Sequence, residues 1–123
     1  MRQRGFTLIE LLIVIGLISF VFVAAAPKFA HYSSLLKLSA SAKLIASDLR
    51  LTQSKALTQK ETICYDPVKT SLPSGIKLTK TKPIYFSHSG NPSFGSSGTI
   101  ILQNRLGQSR KIILSSAGRI RLD

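Results

Sequence analysis

Acidic residues and cysteine are both scarce in this chain. Five Asp and Glu stand against 17 Lys and Arg in 123 residues, a formal net charge of +12. Such a balance excludes a cation-binding acidic surface and suits an anionic partner: nucleic acid, anionic lipid or an acidic protein face. Cys64 is the only cysteine, so an intrachain disulfide is excluded; the residue is read as a buried thiol in a strand, with pairing between chains as the alternative. His31 and His88 are the only histidines and lie far apart, and no His, Cys and carboxylate group has metal-ligand spacing, so no metal and no cofactor is expected. The serines at 87, 89, 93, 96 and 97 have no accompanying base, which argues against a hydrolase. The Gly/Ser stretches lack the lysine and helix of a phosphate loop. Nothing in the pattern points to an enzyme. Repeats and low-complexity tracts are absent too.

What the chain does have is an apolar run. Residues 6–26 are almost wholly apolar, which is spanning length, and fewer than 100 residues remain after it, enough for one modest core. A cleaved secretory signal is one reading, with Ala24, Ala25 and Ala26 as the small-residue site. A signal anchor is another, with Arg2 and Arg4 holding the N-terminus in the cytoplasm. Neither explains Glu10, because an acidic residue in lipid costs roughly 2.5–3.5 kcal/mol at a helix centre and needs a partner.

Gly5-Phe6-Thr7-Leu8-Ile9-Glu10 behind a short basic leader resembles the processing site of type IV prepilins and type II secretion pseudopilins. The resemblance implies cleavage after Gly5 by a prepilin peptidase and N-methylation of Phe6. It also implies assembly with other pilin subunits, in which Glu10 meets the positive N-terminus of a neighbour. A carboxylate left without that partner would cost several kcal/mol, so Glu10 would act as a registration device.

The sequence then divides into a leader (1–5), a transmembrane or filament-core helix (6–27), an amphipathic helix of the head (28–60) and a β-rich head (61–123). Pro27 removes one helix hydrogen bond and is expected to mark a kink, since helical periodicity resumes at once. Leu35, Leu38, Ala42, Ile45, Leu49, Thr52 and Ala56 recur at steps of three and four and define a packing face, which Leu36, Leu44 and Leu57 are expected to widen. Strands are expected over 62–65, 75–79, 83–87, 99–103, 111–115 and 119–122, separated by turns at 66–67, 72–75, 89–98, 104–108 and 117–118. A helix followed by hairpin-linked strands gives an α+β fold: a long helix packed on a small antiparallel sheet.

The head, through 84–90, 98–102 and 112–121, resembles the GspH/FimT-like minor pilins and pseudopilins. Their closing Gly-Arg-x-Arg motif, here Gly118-Arg119-Ile120-Arg121, is associated in transformation-related members with DNA binding. Alternation in a strand places Arg119 and Arg121 on one face, roughly 6–7 Å apart at the base and close to the spacing of successive phosphates, with Ile120 turned inward. Gly118 is expected to make the turn and leave the approach open. Arginine pairs bidentately with phosphate and reads no sequence, so affinity would fall steeply with salt. Arg105, Arg110 and Lys111 around the preceding hairpin, and Lys77, Lys80 and Lys82, are candidate extensions. Tyr65, Tyr85 and Phe94 are candidate stacking residues for single-stranded bases. The bland reading is that exposed strand arginines solubilise or protect an edge.

Removal of Arg2 and Arg4 with the leader leaves 15 basic and five acidic side chains, about +10, in the mature chain. The resemblance thus implies a minor pilin or pseudopilin in the cytoplasmic (inner) membrane, N-terminus inside and head outside, then in a pilus. The role it implies is DNA capture for uptake in natural transformation. The alternative is a structural pseudopilin at the tip of a type II secretion system, without DNA.

Overall fold

The computed structural model describes residues 5–80 and 82–123; the side chain of Lys80 also lies outside the described set, as do the leader arginines Arg2 and Arg4. One helix and six strands follow in order. They are α1 (Leu8–Gln59), β1 (Ile63–Tyr65), β2 (Ile76–Lys80), β3 (Ile84–Phe86), β4 (Gly98–Asn104), β5 (Ser109–Leu114) and β6 (Ile120–Leu122), with a short 3-10 turn at Pro67–Lys69. The chain divides into two compact units, Met1–Ser33 and Ser34–Asp123.

In the first unit, Thr7 caps the helix. Its carbonyl accepts the Glu10 N–H at 3.1 Å and its hydroxyl lies 3.4 Å from the same N–H. Glu10 stands in the first turn, where a negative charge meets the positive end of the helix dipole. The apolar side chains beyond it are exposed, and the helix is long and apolar enough to cross a membrane. Ser19 donates back to the Ile15 carbonyl at 2.8 Å, which satisfies the hydroxyl without water. Helical structure continues through Pro27, so the helix does not end there.

The second unit is an antiparallel α+β fold. Leu38, Ala42, Ile45, Leu49 and Ala56 are buried at helical spacing and pack on Tyr65, Ile84, Phe86, Ile100, Leu102, Ile112 and Leu114. The expected face is therefore the packing face, and Leu35 and Thr52 flank it half-buried. Leu36, Leu44 and Leu57 do not widen it. They are exposed, because at about 100° per residue Leu36 and Leu44 fall on the side of α1 away from Leu38 and Ile45.

The strands form two antiparallel sheets where one was expected: β1–β3, and a four-stranded sheet in the order β2–β4–β5–β6. Tyr65 faces the core, so its neighbour Cys64 faces out; the thiol is exposed, contrary to the buried thiol expected from composition. Across the strand pair Cys64 stands opposite Tyr85, which is also exposed.

Candidate functional site

Gly5, Phe6 and Thr7 precede the helix, outside helix and strand, and are exposed, with no atom within 4 Å of a Cβ at Gly5.

The four-stranded sheet has two faces. Ile100, Leu102, Asn104, Ile112 and Leu114 point to α1 and are buried. Alternation puts Thr99, Ile101, Gln103, Ser109, Lys111, Ile113 and Arg121 on the outer face. Cross-strand pairing places Lys77 opposite Gln103, Ile101 opposite Lys111, and Ile113 opposite Arg121. Arg119 lies two residues before Arg121, its carbonyl bonded to the Ser115 N–H at 3.0 Å, so the two arginines share a face and both are exposed. Ile120, between them, packs on the core. With strands ~4.8 Å apart and ~3.4 Å per residue, the side-chain bases of Arg119, Arg121 and Lys111 follow each other at steps of roughly 7–8 Å, and Lys77 lies about 12 Å further on. Half-buried Thr99, Ile101 and Ile113 fill the middle.

The other expected cations divide. Arg110 shares the parity of Ile112 and Leu114 and lines a cleft with Ser39, Lys43 and Leu122, which places it on the helix side, away from Arg121. Arg105 sits in the β4–β5 turn, at the end of β5 opposite to the turn that precedes Arg119. Lys82 is exposed between β2 and β3, and nothing is described of the Lys80 side chain. Lys111 belongs to the face and Arg110 does not.

Gly118 is buried and does not leave an open approach. It takes φ +79° in the β5–β6 turn, and a Cβ there would lie 2.8 Å from Gln53 Nε2 and 2.9 Å from the Gly90 carbonyl oxygen. The Gln53 amide donates to that carbonyl at 2.7 Å and to the Gly118 carbonyl at 3.1 Å. One side chain of α1 thus ties the turn before Arg119 to the turn after β3. The motif glycine has a structural task, and only the arginines face solvent.

Two polar anchors were not singled out from the sequence. Gln53 is one. Asn104 is the other: buried, it donates to Ser34 Oγ at 3.0 Å and to Gln108 Oε1 at 2.8 Å. Its carbonyl oxygen accepts from the N–H groups of Leu106 and Gln108. Their partners are remote or lie in a turn, so no local pattern marks them.

The charge on this part of the chain is one-sided. From Val68 to Leu122 there are nine basic residues (Lys69, Lys77, Lys80, Lys82, Arg105, Arg110, Lys111, Arg119, Arg121) and no Asp or Glu. Asp123, beside Lys111 in the ladder, is the one acid that borders the outer face. Tyr65 is buried, and its hydroxyl pairs with that of Thr70 at 2.9 Å, which removes it as a stacking platform. Burial pushes its pKa above the ordinary 10.0, partly opposed by that hydrogen bond. Tyr85 belongs to the smaller sheet, and Phe94 is fully exposed in the loop before β4. His88 is exposed in the turn after β3. Among the described residues no group of three His, Cys, Asp or Glu could hold a metal ion.

No curated protein and no solved structure matches the chain. Residues 1–26 match the model of the prokaryotic N-terminal methylation motif. That motif implies processing by a prepilin peptidase and assembly with other pilin subunits. With the apolar helix it fits a pilin anchored in the inner membrane. The match covers 26 of 123 residues and, with the long helix packed on antiparallel sheets, it supports a type IV pilin-like protein.

Proposed function

We propose that this chain is a minor pilin or pseudopilin of the GspH/FimT-like kind whose head binds DNA through its phosphates. The observation that carries the proposal is the outer sheet face, where Arg119, Arg121, Lys111 and Lys77 stand on one side of a region with no internal carboxylate. Three of them repeat at a step close to that of successive phosphates. The face presents no aromatic platform, which favours backbone contact over base stacking.

In this reading the peptidase cuts after Gly5, Phe6 is N-methylated, and Glu10 pairs with the N-terminus of a neighbouring subunit. The head faces outward, and retraction of the filament would draw bound DNA inward for uptake. The core of the head lies wholly between Leu38 and Ile120, so residues 28–123 are a suitable binding fragment.

The test is binding of that fragment to duplex DNA across a salt series. Four phosphate contacts give a log–log salt slope of about −3.6, and Arg119→Ala with Arg121→Ala should reduce it by about 1.8. No binding at low salt would reject the DNA reading and leave a structural pseudopilin of a type II secretion system. Unchanged binding by the folded double variant would reject the two arginines as the site.

A further inference from the structure

We infer that a cavity between the two sheets of the head is a binding site for a carboxylate carried on a short aliphatic group. The site is independent of the DNA reading, since none of Arg119, Arg121, Lys111 and Lys77 lines it.

The cavity begins with a missing side chain. In β4, Gly98 shares the parity of Ile100 and Leu102, which point to the core and are buried. A Cβ at Gly98 would therefore point inward, yet it would meet no heavy atom within 4 Å. The space left over is a cavity of about 100 Å³. Its apolar walls are Ile84 of β3 and Ile100 of β4, one from each sheet and both part of the core. Gly98 itself is exposed, so the space is open to solvent.

The polar side is the segment from Gly95 to Ser97. The Ser96 N–H is bound to the Ser93 carbonyl at 2.8 Å. The Ser96 side chain is different. It is only 9% exposed, and its hydroxyl has no hydrogen-bond partner among the described residues. Every fully buried side-chain oxygen and nitrogen among those residues does have one, so the Ser96 hydroxyl must open onto space. The space that Ser96 lines is this cavity. A hydroxyl in that position favours a ligand that can bond to it. In the sequence the Gly95–Gly98 stretch has no lysine beside it; the fold brings one, Lys82, from the connection between β2 and β3.

Three features select the ligand. Lys82 sets its sign, because it is the one charged residue in the lining and no acid accompanies it. The volume sets its size. At ~30 Å³ per water, the cavity has the room of about three waters, or of a carboxylate with a small branched alkyl group. The isoleucine walls set its polarity: a bare phosphate would lose hydration against them without return, whereas an aliphatic carboxylate turns its alkyl part to them. Its oxygens then accept from Lys82 Nζ and the Ser96 hydroxyl.

The full chain in a neutral maltoside detergent tests the inference, with NMR shifts read at the amides of 95–98 and the methyls of Ile84 and Ile100. The probes are isobutyrate and N-acetyl-glycyl-valine, a free acid and a peptide C-terminus. One or both should shift these signals saturably, with Kd on the order of 1–10 mM, and the tighter of the two names the source. Isobutyramide and inorganic phosphate should not. Lys82→Gln should weaken binding about tenfold, and Lys82→Arg should retain most of it. Gly98→Val fills the cavity and should abolish binding at an unchanged thermal transition, since Gly98 takes no left-handed φ. Arg119→Gln/Arg121→Gln should change nothing. No shift with either carboxylate would overturn the inference. So would equal shifts from isobutyramide, tighter binding of phosphate, or carboxylate binding that survives Lys82→Gln or a folded Gly98→Val. If Gly98→Val loses its thermal transition, Lys82→Gln decides the matter, because Lys82 is exposed.

Discussion

Replacing Gly118 by alanine should destabilise the head by about 2–3 kcal/mol, although only one methyl group is added. Alanine at φ +79° costs ~1–2 kcal/mol in backbone strain. The new Cβ would stand 2.8 Å from Gln53 Nε2 and 2.9 Å from the Gly90 oxygen, so the amide must withdraw and its two hydrogen bonds weaken. Each is worth ~1 kcal/mol net. Against this, alanine narrows the unfolded ensemble and returns ~0.4–1 kcal/mol. Urea denaturation of the fragment 28–123 gives the number directly. A cycle with Gln53→Ala tests the cause. Without the amide, part of the clash and both hydrogen bonds are already gone, so the double variant should cost about 1–2 kcal/mol less than the sum of the singles. A loss under 1 kcal/mol for Gly118→Ala, or additive singles, would refute the claim that Gly118 is there to receive Gln53. The same variant separates two readings of the Gly-Arg-x-Arg motif. If Gly118 serves the turn, DNA affinity should fall with stability, whereas a glycine that touched phosphate would lower affinity in a head of unchanged stability.

Lys111→Ala should weaken DNA binding and lower the salt slope by about 0.9, while Arg110→Ala, on the helix side of the sheet, should leave the slope nearly unchanged; equal losses would contradict the assignment of faces. Glu10→Ala should be processed and methylated yet fail to enter filaments, as scored by mass spectrometry of the mature chain and immunoblotting of sheared filaments; normal incorporation would defeat the registration argument. Tyr65 contributes to the pH dependence of stability. Its folded pKa is raised above 10.0 by burial, so the contribution is complete below the unfolded value and is lost as pH rises through the higher folded value. In Tyr65→Phe the fall in urea midpoint above pH 10 should therefore be shallower than in the parent chain.

The parts of the fold set by local chemistry were legible. All six strands lie within a residue or two of their expected places, because they are short runs of β-branched, aromatic and other apolar residues, most of them set off by Gly, Pro, Ser or Asn. The packing face of α1 followed from 3.6-residue periodicity. Pairing was not legible. β1 joins β3 and leaves β2 to the other sheet, a choice made by contacts across 19 to 28 residues. The exposure of Cys64 followed from that choice, since the burial of Tyr65 fixes which way its neighbour points. Arg110 shows the same limit at the site: Arg110 and Lys111 are adjacent and chemically alike, and only the phase of β5 against the core separates them. Gln53 looked like an ordinary polar helix residue because both its partners lie in distant turns.

The order of elements along the chain has a consequence for biosynthesis. α1 leaves the ribosome first with one apolar face bare, and the strands that cover it, β4, β5 and β6, leave last. Five of the twelve core residues of the head are in the helix and four of the other seven lie beyond residue 98, so the helix must wait, exposed, until those late strands have been made. Late, non-local contacts of this kind fold slowly and expose sticky surface meanwhile. A chain synthesised at the membrane would have its apolar N-terminal segment engaged during that wait. A chain released from the ribosome beforehand would carry two uncovered apolar surfaces at once and become a substrate for holding chaperones.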